Sequence, residues 1–192
     1  MTSPVNIIIW VLAGILSVVF VWQMIIWLQE ISDKNRKYQA ALAAAKKSGK
    51  QLLIVGGPYG AKPYRRMVGR PAHGNGDVCL DIDAHALVGH PCPIVASCTN
   101  IPFSDKSFGA LFSSHVLEHM PTTKMAEQAV KEMNRVADSV FLAYPSRQSL
   151  AAWIIRDHHI WVWQKDGKTL FKQRKDRVLR EHHFVETTAK TG

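Results

Sequence analysis

Between Ile7 and Leu28 the chain carries no charge, and only Ser17 and Gln23 interrupt an otherwise apolar run. As a helix, about 22 residues at about 1.5 Å rise reach about 33 Å, enough to cross the hydrocarbon core of a bilayer. A cleaved leader has a basic start and a shorter apolar run, and Met1 to Asn6 contains no Lys or Arg. A globular helix of this length shows a polar face, and this one has none. The expectation is a transmembrane anchor over residues 1–30. Trp10, Trp22 and Trp27 suit interfacial belts, with Trp22 rather deep for that role.

The flanks set an orientation. No Lys or Arg precedes the span, whereas Lys34, Arg36, Lys37, Lys46, Lys47 and Lys50 follow it. The positive-inside rule then places the N-terminus outside and everything after Leu28 in the cytoplasm, as a single-pass membrane protein. Residues 31–50 read as a basic helical stalk, rich in helix formers through Ala40–Lys47 and closed by Ser48-Gly49. The 192 residues leave room for one ordinary domain beyond this appendage. Lys and Arg outnumber Asp and Glu by 24 to 15. Because they gather beside the apolar span and near the C-terminus, the excess fits a lipid bilayer partner better than nucleic acid. Cys79, Cys92 and Cys98 show neither disulfide-framework nor zinc-ribbon spacing, which suits reduced thiols.

Residues 51–175 alternate short apolar runs with turns and helical stretches. Gln51–Val55 reads as a strand feeding the glycine-rich turn Gly56-Gly57-Pro58-Tyr59-Gly60. A brief helix is expected over 61–70 and a loop over 71–76. Asp77–Ile82 reads as a second strand, Ile94–Ala96 as a third, Phe108–Ser113 as a fourth and Ser139–Ala143 as a fifth. Between Asp83 and Pro93 there is room for barely two helical turns. A helix capped at Thr122 or Thr123 should run to about Val136, and a short one from Ser149 to Arg156. His159–Trp163 and Thr169–Lys172 flank a tight turn and read as a hairpin. Residues 176–192 form a basic tail.

One stretch says more than the others. Ala96–Met120 runs from a small polar loop through Ile101-Pro102-Phe103, a polar bend and the fourth strand into Val116-Leu117-Glu118-His119. This order resembles the middle of the type 11 family of class I S-adenosylmethionine-dependent methyltransferases. The resemblance implies an α/β fold with a Rossmann-like sheet in a short form, here preceded by one transmembrane helix, and S-adenosylmethionine as cofactor. It places Gly56, Gly57 and Gly60 in the glycine-rich turn after the first strand, where glycine lets the backbone approach a ligand. Asp81, with Asp83 as second choice, would accept the ribose hydroxyls. Ile82, Ser97, Cys98, Asn100 and Ser114 would line the remaining cofactor edge, and the hairpin would supply the last two strands beside strand five. The chain departs from the family at Ile54 (usually an acid), Pro58 (usually glycine), Ser97 (usually an acid) and Gly109 (usually Asp).

Methyl transfer needs alignment more than covalent chemistry, and a base only where the acceptor holds a proton. His115, just past strand four, is the candidate base, with Glu118 and His119 expected to fix the loop and helix start. His115–His119 also spells H-x-x-E-H, an inverted zincin signature, but Pro121 truncates the long helix such a site needs. No metal site is therefore expected, and His158-His159 and His182-His183 lack an acidic or cysteine partner at ligand spacing. Two functions follow. One is a membrane-anchored methyltransferase for a small-molecule or lipid-like acceptor. The other is a degenerate methyltransferase fold serving as a tethered assembly subunit for a membrane protein partner.

Overall fold

The computed structural model describes residues 3–57 and 76–174. Pro58, Tyr59 and Gly60, the expected helix and most of the loop over 61–76, and the basic tail lie outside the described residues.

Helix α1 (Pro4–Ser48) takes up both the expected anchor and the stalk in 45 unbroken residues. Ser3 caps its start, accepting from the Asn6 amide, and Gly49 in the left-handed region (φ 69°) closes it with a bond to the Lys46 carbonyl. Its apolar half is long enough to cross a membrane and no residue of its apolar window is buried. Its second half is not a free stalk. Tyr38, Ala41 and Ala45 are buried against the sheet, and the Tyr38 ring meets Phe112 edge-on at 5.5 Å.

Five parallel strands follow: β1 (Leu52–Val55), β2 (Val78–Asp81), β3 (Pro93–Val95), β4 (Phe108–Ser114) and β5 (Ala137–Ala143), in the order β3-β2-β1-β4-β5. Side chains alternate across the pleat, so Leu52 and Ile54 face α1 while Leu53 and Val55 face the opposite layer. That layer holds α2 (Thr123–Val136), capped by the Thr122 hydroxyl on the Met125 amide, with Ala126, Ala129, Met133 and Val136 buried. Only a single 3₁₀ turn, Ala84–Leu87, connects β2 to β3, capped by Asp83.

Gly109 now has a reason. A Cβ there would sit 3.0 Å from the Ala45 Cα and 1.8 Å from the Ser48 hydroxyl, so the acid common in related chains would collide with α1. Lys50 then pins the entry to the sheet by pairing with Asp138 at 2.8 Å. The Ile-Pro-Phe turn is held from α2. Glu132 accepts from the Ile101 amide (3.0 Å), and Arg135 bonds Glu132, Asp105 and the carbonyls of Ile101 and Phe103. The Arg135 hydrogen bond chiefly holds the Glu132 carboxyl below the usual range, helped by the Ile101 amide and opposed by burial. A depressed folded-state value means this contribution is present above the ordinary Glu pKa and fades as pH falls through the folded one.

The hairpin corrects an expectation. After the short helix α3 (Leu150–Ile154), β6 (Ile160–Lys165) and β7 (Lys168–Gln173) pair, among the described residues, only with each other. They do not extend the sheet beyond β5. Asp166 (φ 50°) and Gly167 (φ 74°) make the two-residue turn, whose positive φ values suit the twist of a tight hairpin. The pair is instead held from the turn after β4: the His159 amide donates to the Glu118 carbonyl at 2.8 Å, and Ile160 and Val162 join the α2-side core.

Candidate functional site

In an open parallel sheet the ligand crevice lies beyond the carboxyl ends of the strands, where the strand order reverses. Here that point is between β1 and β4, which end at Gly56 and at Ser114-His115. Gly56 has φ 94° and donates to the Leu80 carbonyl at 2.9 Å. A Cβ on Gly56 would meet Val116 Cγ2 at 2.3 Å, and one on Gly57 would meet the Ala86 carbonyl oxygen at 2.6 Å. The glycines are therefore required, but the chain itself fills the space they leave.

Asp81 ends β2 half-buried. One carboxylate oxygen accepts the Gly57 amide and the other accepts the Asp83 amide at 2.9 Å. Each oxygen keeps a lone pair, so the carboxylate both ties the two loops and can still accept hydroxyls. Asp83 is spent on capping the 3₁₀ turn through the His85 amide (2.9 Å), which makes Asp81 the better ribose partner of the two. Ile82, next in line, is 64% exposed and offers an apolar plate at the same edge. Ser97 bonds Thr99 through its hydroxyl at 2.7 Å, Asn100 is exposed, and Cys98 is buried in the core, where burial pushes its thiol up to about 11. Cys98 thus contributes backbone to this edge rather than a reactive side chain. The residues in place suit the ribose and adenine end of S-adenosylmethionine. Gly60, assigned to the turn beneath the methionine end, lies outside the described residues.

His115 sits across the switch point from Asp81's strand. It adopts φ 56°, unusual for a side-chain-bearing residue, and its amide bonds the Ala143 carbonyl at 2.9 Å. Its Nδ1 lies 3.0 Å from Glu118 Oε1, and its side chain is 39% exposed. Glu118 is only 1% exposed. It does not start a helix: Leu117–His119 is a 3₁₀ turn, and α2 starts four residues later.

The same turn gathers a group that spacing along the chain concealed. Glu118, His119 and His158 each place one possible ligand atom within 4.8 Å of the others. His119 and His158 meet edge to face at 4.9 Å. His158 has an acidic neighbour after all, because the segment entering β6 folds back over the end of β4. Burial chiefly lowers the His158 pKa, with His119 and His115 reinforcing it and Glu118 opposing. The H-x-x-E-H string was the available signal for two of the three residues of this cluster; His158 had none.

Residues 75–139, about a third of the chain, match the family model described as a methyltransferase domain, that of the type 11 class I S-adenosylmethionine-dependent methyltransferases. The match runs from just before β2 to the first residues of β5 and covers Asp81, Ser97, Ser114 and the Val116–His119 turn. No curated protein matches the chain.

Proposed function

We propose that this protein is a membrane-anchored S-adenosylmethionine-dependent methyltransferase acting on a lipid-like acceptor at the cytoplasmic face. The observation that carries the reading is the way the domain is bonded to the apolar half of α1. Gln23, inside the apolar span, donates to the Gln148 carbonyl (3.1 Å) and accepts from the Leu150 amide (2.8 Å), while Glu30 accepts from the Ser146 amide. Those bonds set α3 beside the last turns of the apolar run, and Leu150, Trp153, Ile154 and Ile155 are exposed there. A leader cut from the chain would take these contacts with it, which favours a retained anchor. Such a placement gives an acceptor dissolved in the bilayer a short route to the carboxyl edge of the sheet.

When bound, S-adenosylmethionine supplies an activated methyl group. Asp81 would accept its ribose hydroxyls and Ile82 would lie against its adenine. His115, its ring fixed by Glu118, would take the proton of a hydroxyl acceptor on the nitrogen turned away from that carboxylate. Calorimetric titration of the full-length protein with S-adenosylmethionine tests the cofactor. Asp81→Ala should weaken binding by about 1.5–3 kcal/mol, the scale of hydrogen bonds to a charged group. Unchanged affinity in the folded variant would remove Asp81 from the site. No binding by the natural chain would favour the assembly-subunit reading, to which the filling of the Gly56 and Gly57 spaces by Val116 and Ala86 already lends support.

Sidedness has its own test. Protease added to sealed inverted vesicles, cytoplasmic face outward, should digest the domain. Protection there, with cleavage from the opposite face, would reverse the orientation.

A further inference from the structure

We propose that Glu118, His119 and His158 form a binding site for one divalent cation of the zinc class. The argument starts from hydrogen-bond roles. His158 Nδ1 lies 3.2 Å from the Ala152 carbonyl and His119 Nδ1 lies 3.1 Å from the Asp157 carbonyl. A carbonyl only accepts, so in each ring Nδ1 carries the proton and a neutral imidazole presents a lone pair at Nε2. A ring nitrogen held this way by a backbone carbonyl is the usual support behind a metal-binding histidine.

The third member is an acceptor as well. Glu118 Oε1 is taken by His115, whereas Oε2 is buried and no described residue donates to it. A carboxylate oxygen buried without a donor is costly, and two imidazole lone pairs in the same few ångströms cannot relieve it. A cation shared by the three can.

The donor set points to the kind of ion. Two imidazoles and one carboxylate suit zinc and its neighbours in the first transition row, and fit poorly with calcium or magnesium, which take oxygen ligands. Bonds of about 2.0–2.2 Å in a tetrahedron put ligand atoms about 3.4 Å apart, so the present spread of up to 4.8 Å must contract. His119, the exposed member, has the most room to adjust, by a small shift that keeps its Nδ1 on the Asp157 carbonyl. Three protein ligands leave a position open for water or an acceptor oxygen, at the end of β4 and beside His115. The cation would also tie the turn after β4 to the entry of β6, two segments already joined by the His159 amide on the Glu118 carbonyl and by His119 on the Asp157 carbonyl.

The experiment uses tag-free, full-length protein in detergent, stripped of metal and titrated calorimetrically with zinc, then with cobalt as a spectroscopic probe. Saturable binding at one equivalent is expected. Cobalt should develop the intense visible bands of four- or five-fold coordination, and His119→Ala and His158→Asn should each weaken binding at least about tenfold, the size that loss of even a supporting partner brings. The double variant His182→Ala/His183→Ala, in the tail, should bind as the natural chain does. Two results overturn the proposal: a cobalt spectrum that stays that of the hydrated ion, or affinity untouched by His119→Ala, whose exposed side chain can be removed without unfolding the core. Because the readout needs neither cofactor nor acceptor, failure here is distinct from failure of the methyltransferase reading.

Discussion

Ile54→Asp, which installs the acid common in related chains at the end of β1, is expected to destabilise the protein by about 4 kcal/mol or more. Ile54 is 1% exposed and lies between Tyr38, Ala41 and Phe112 on the α1 side of the sheet. Removing its side chain from such a core costs on the order of 2–4 kcal/mol, and a carboxyl left there without a donor adds at least about 1–3 kcal/mol. Against a domain stability of about 5–15 kcal/mol, much of the population would unfold. Urea unfolding of the full chain in detergent, followed by tryptophan fluorescence, measures the loss. Ile54→Val should cost only about 1 kcal/mol and serves as the control. A midpoint for Ile54→Asp equal to that of the control would mean the site is wetter than the packing shows.

Gly109→Asp should be the second large effect, about 2–3 kcal/mol, through overpacking rather than a cavity. The new Cβ would press on the Ala45 Cα and on Ser48 Cβ at 3.1 Å, and backbone cannot swing aside as a side-chain tip can. The clash is local, so Gly109→Ala combined with Ser48→Gly should recover part of the loss seen for Gly109→Ala alone. That coupling in a double-mutant cycle identifies α1 as the obstacle. Additive losses would place the strain elsewhere.

These two positions show what was legible in the sequence and what was not. The strands and α2 were readable because each carries its own local signal. Buried runs sit between turns, and Thr122 caps a stretch with apolar residues at helical spacing up to Val136. Tyr38, Ala41 and Ala45 carried no comparable mark: an alanine-rich basic helix looks like a solvated stalk whether or not a sheet lies beneath it. So the departures at Ile54 and Gly109 looked like decay of a cofactor motif, when both are also fitted to α1. The hairpin was visible from its turn, but not its detachment from β5, since strand pairing between elements depends on packing that local pattern does not encode. At the site, Asp81 and His115 followed from their places at strand ends. His158 was hidden because 38 residues or more separate it from the turn it joins.

The unbroken α1 also fixes an order of assembly. It precedes the sheet in the chain, yet the face bearing Tyr38, Ala41 and Ala45 is met by only Leu52 and Ile54 of β1 nearby. Phe112 of β4, which covers Tyr38, comes more than sixty residues later. During that interval the second half of the helix waits with much of its sheet-facing side exposed. The sheet therefore closes onto a helix made before it, and on the proposed membrane-anchored reading that helix is inserted before the sheet forms. A chain begun near Lys46 to make a soluble domain would lack this template, leaving Ile54 and Phe112 without their cover. Such a chain should be recovered as aggregate, and one that retains the helix from Gln23 onward keeps the cover the sheet requires.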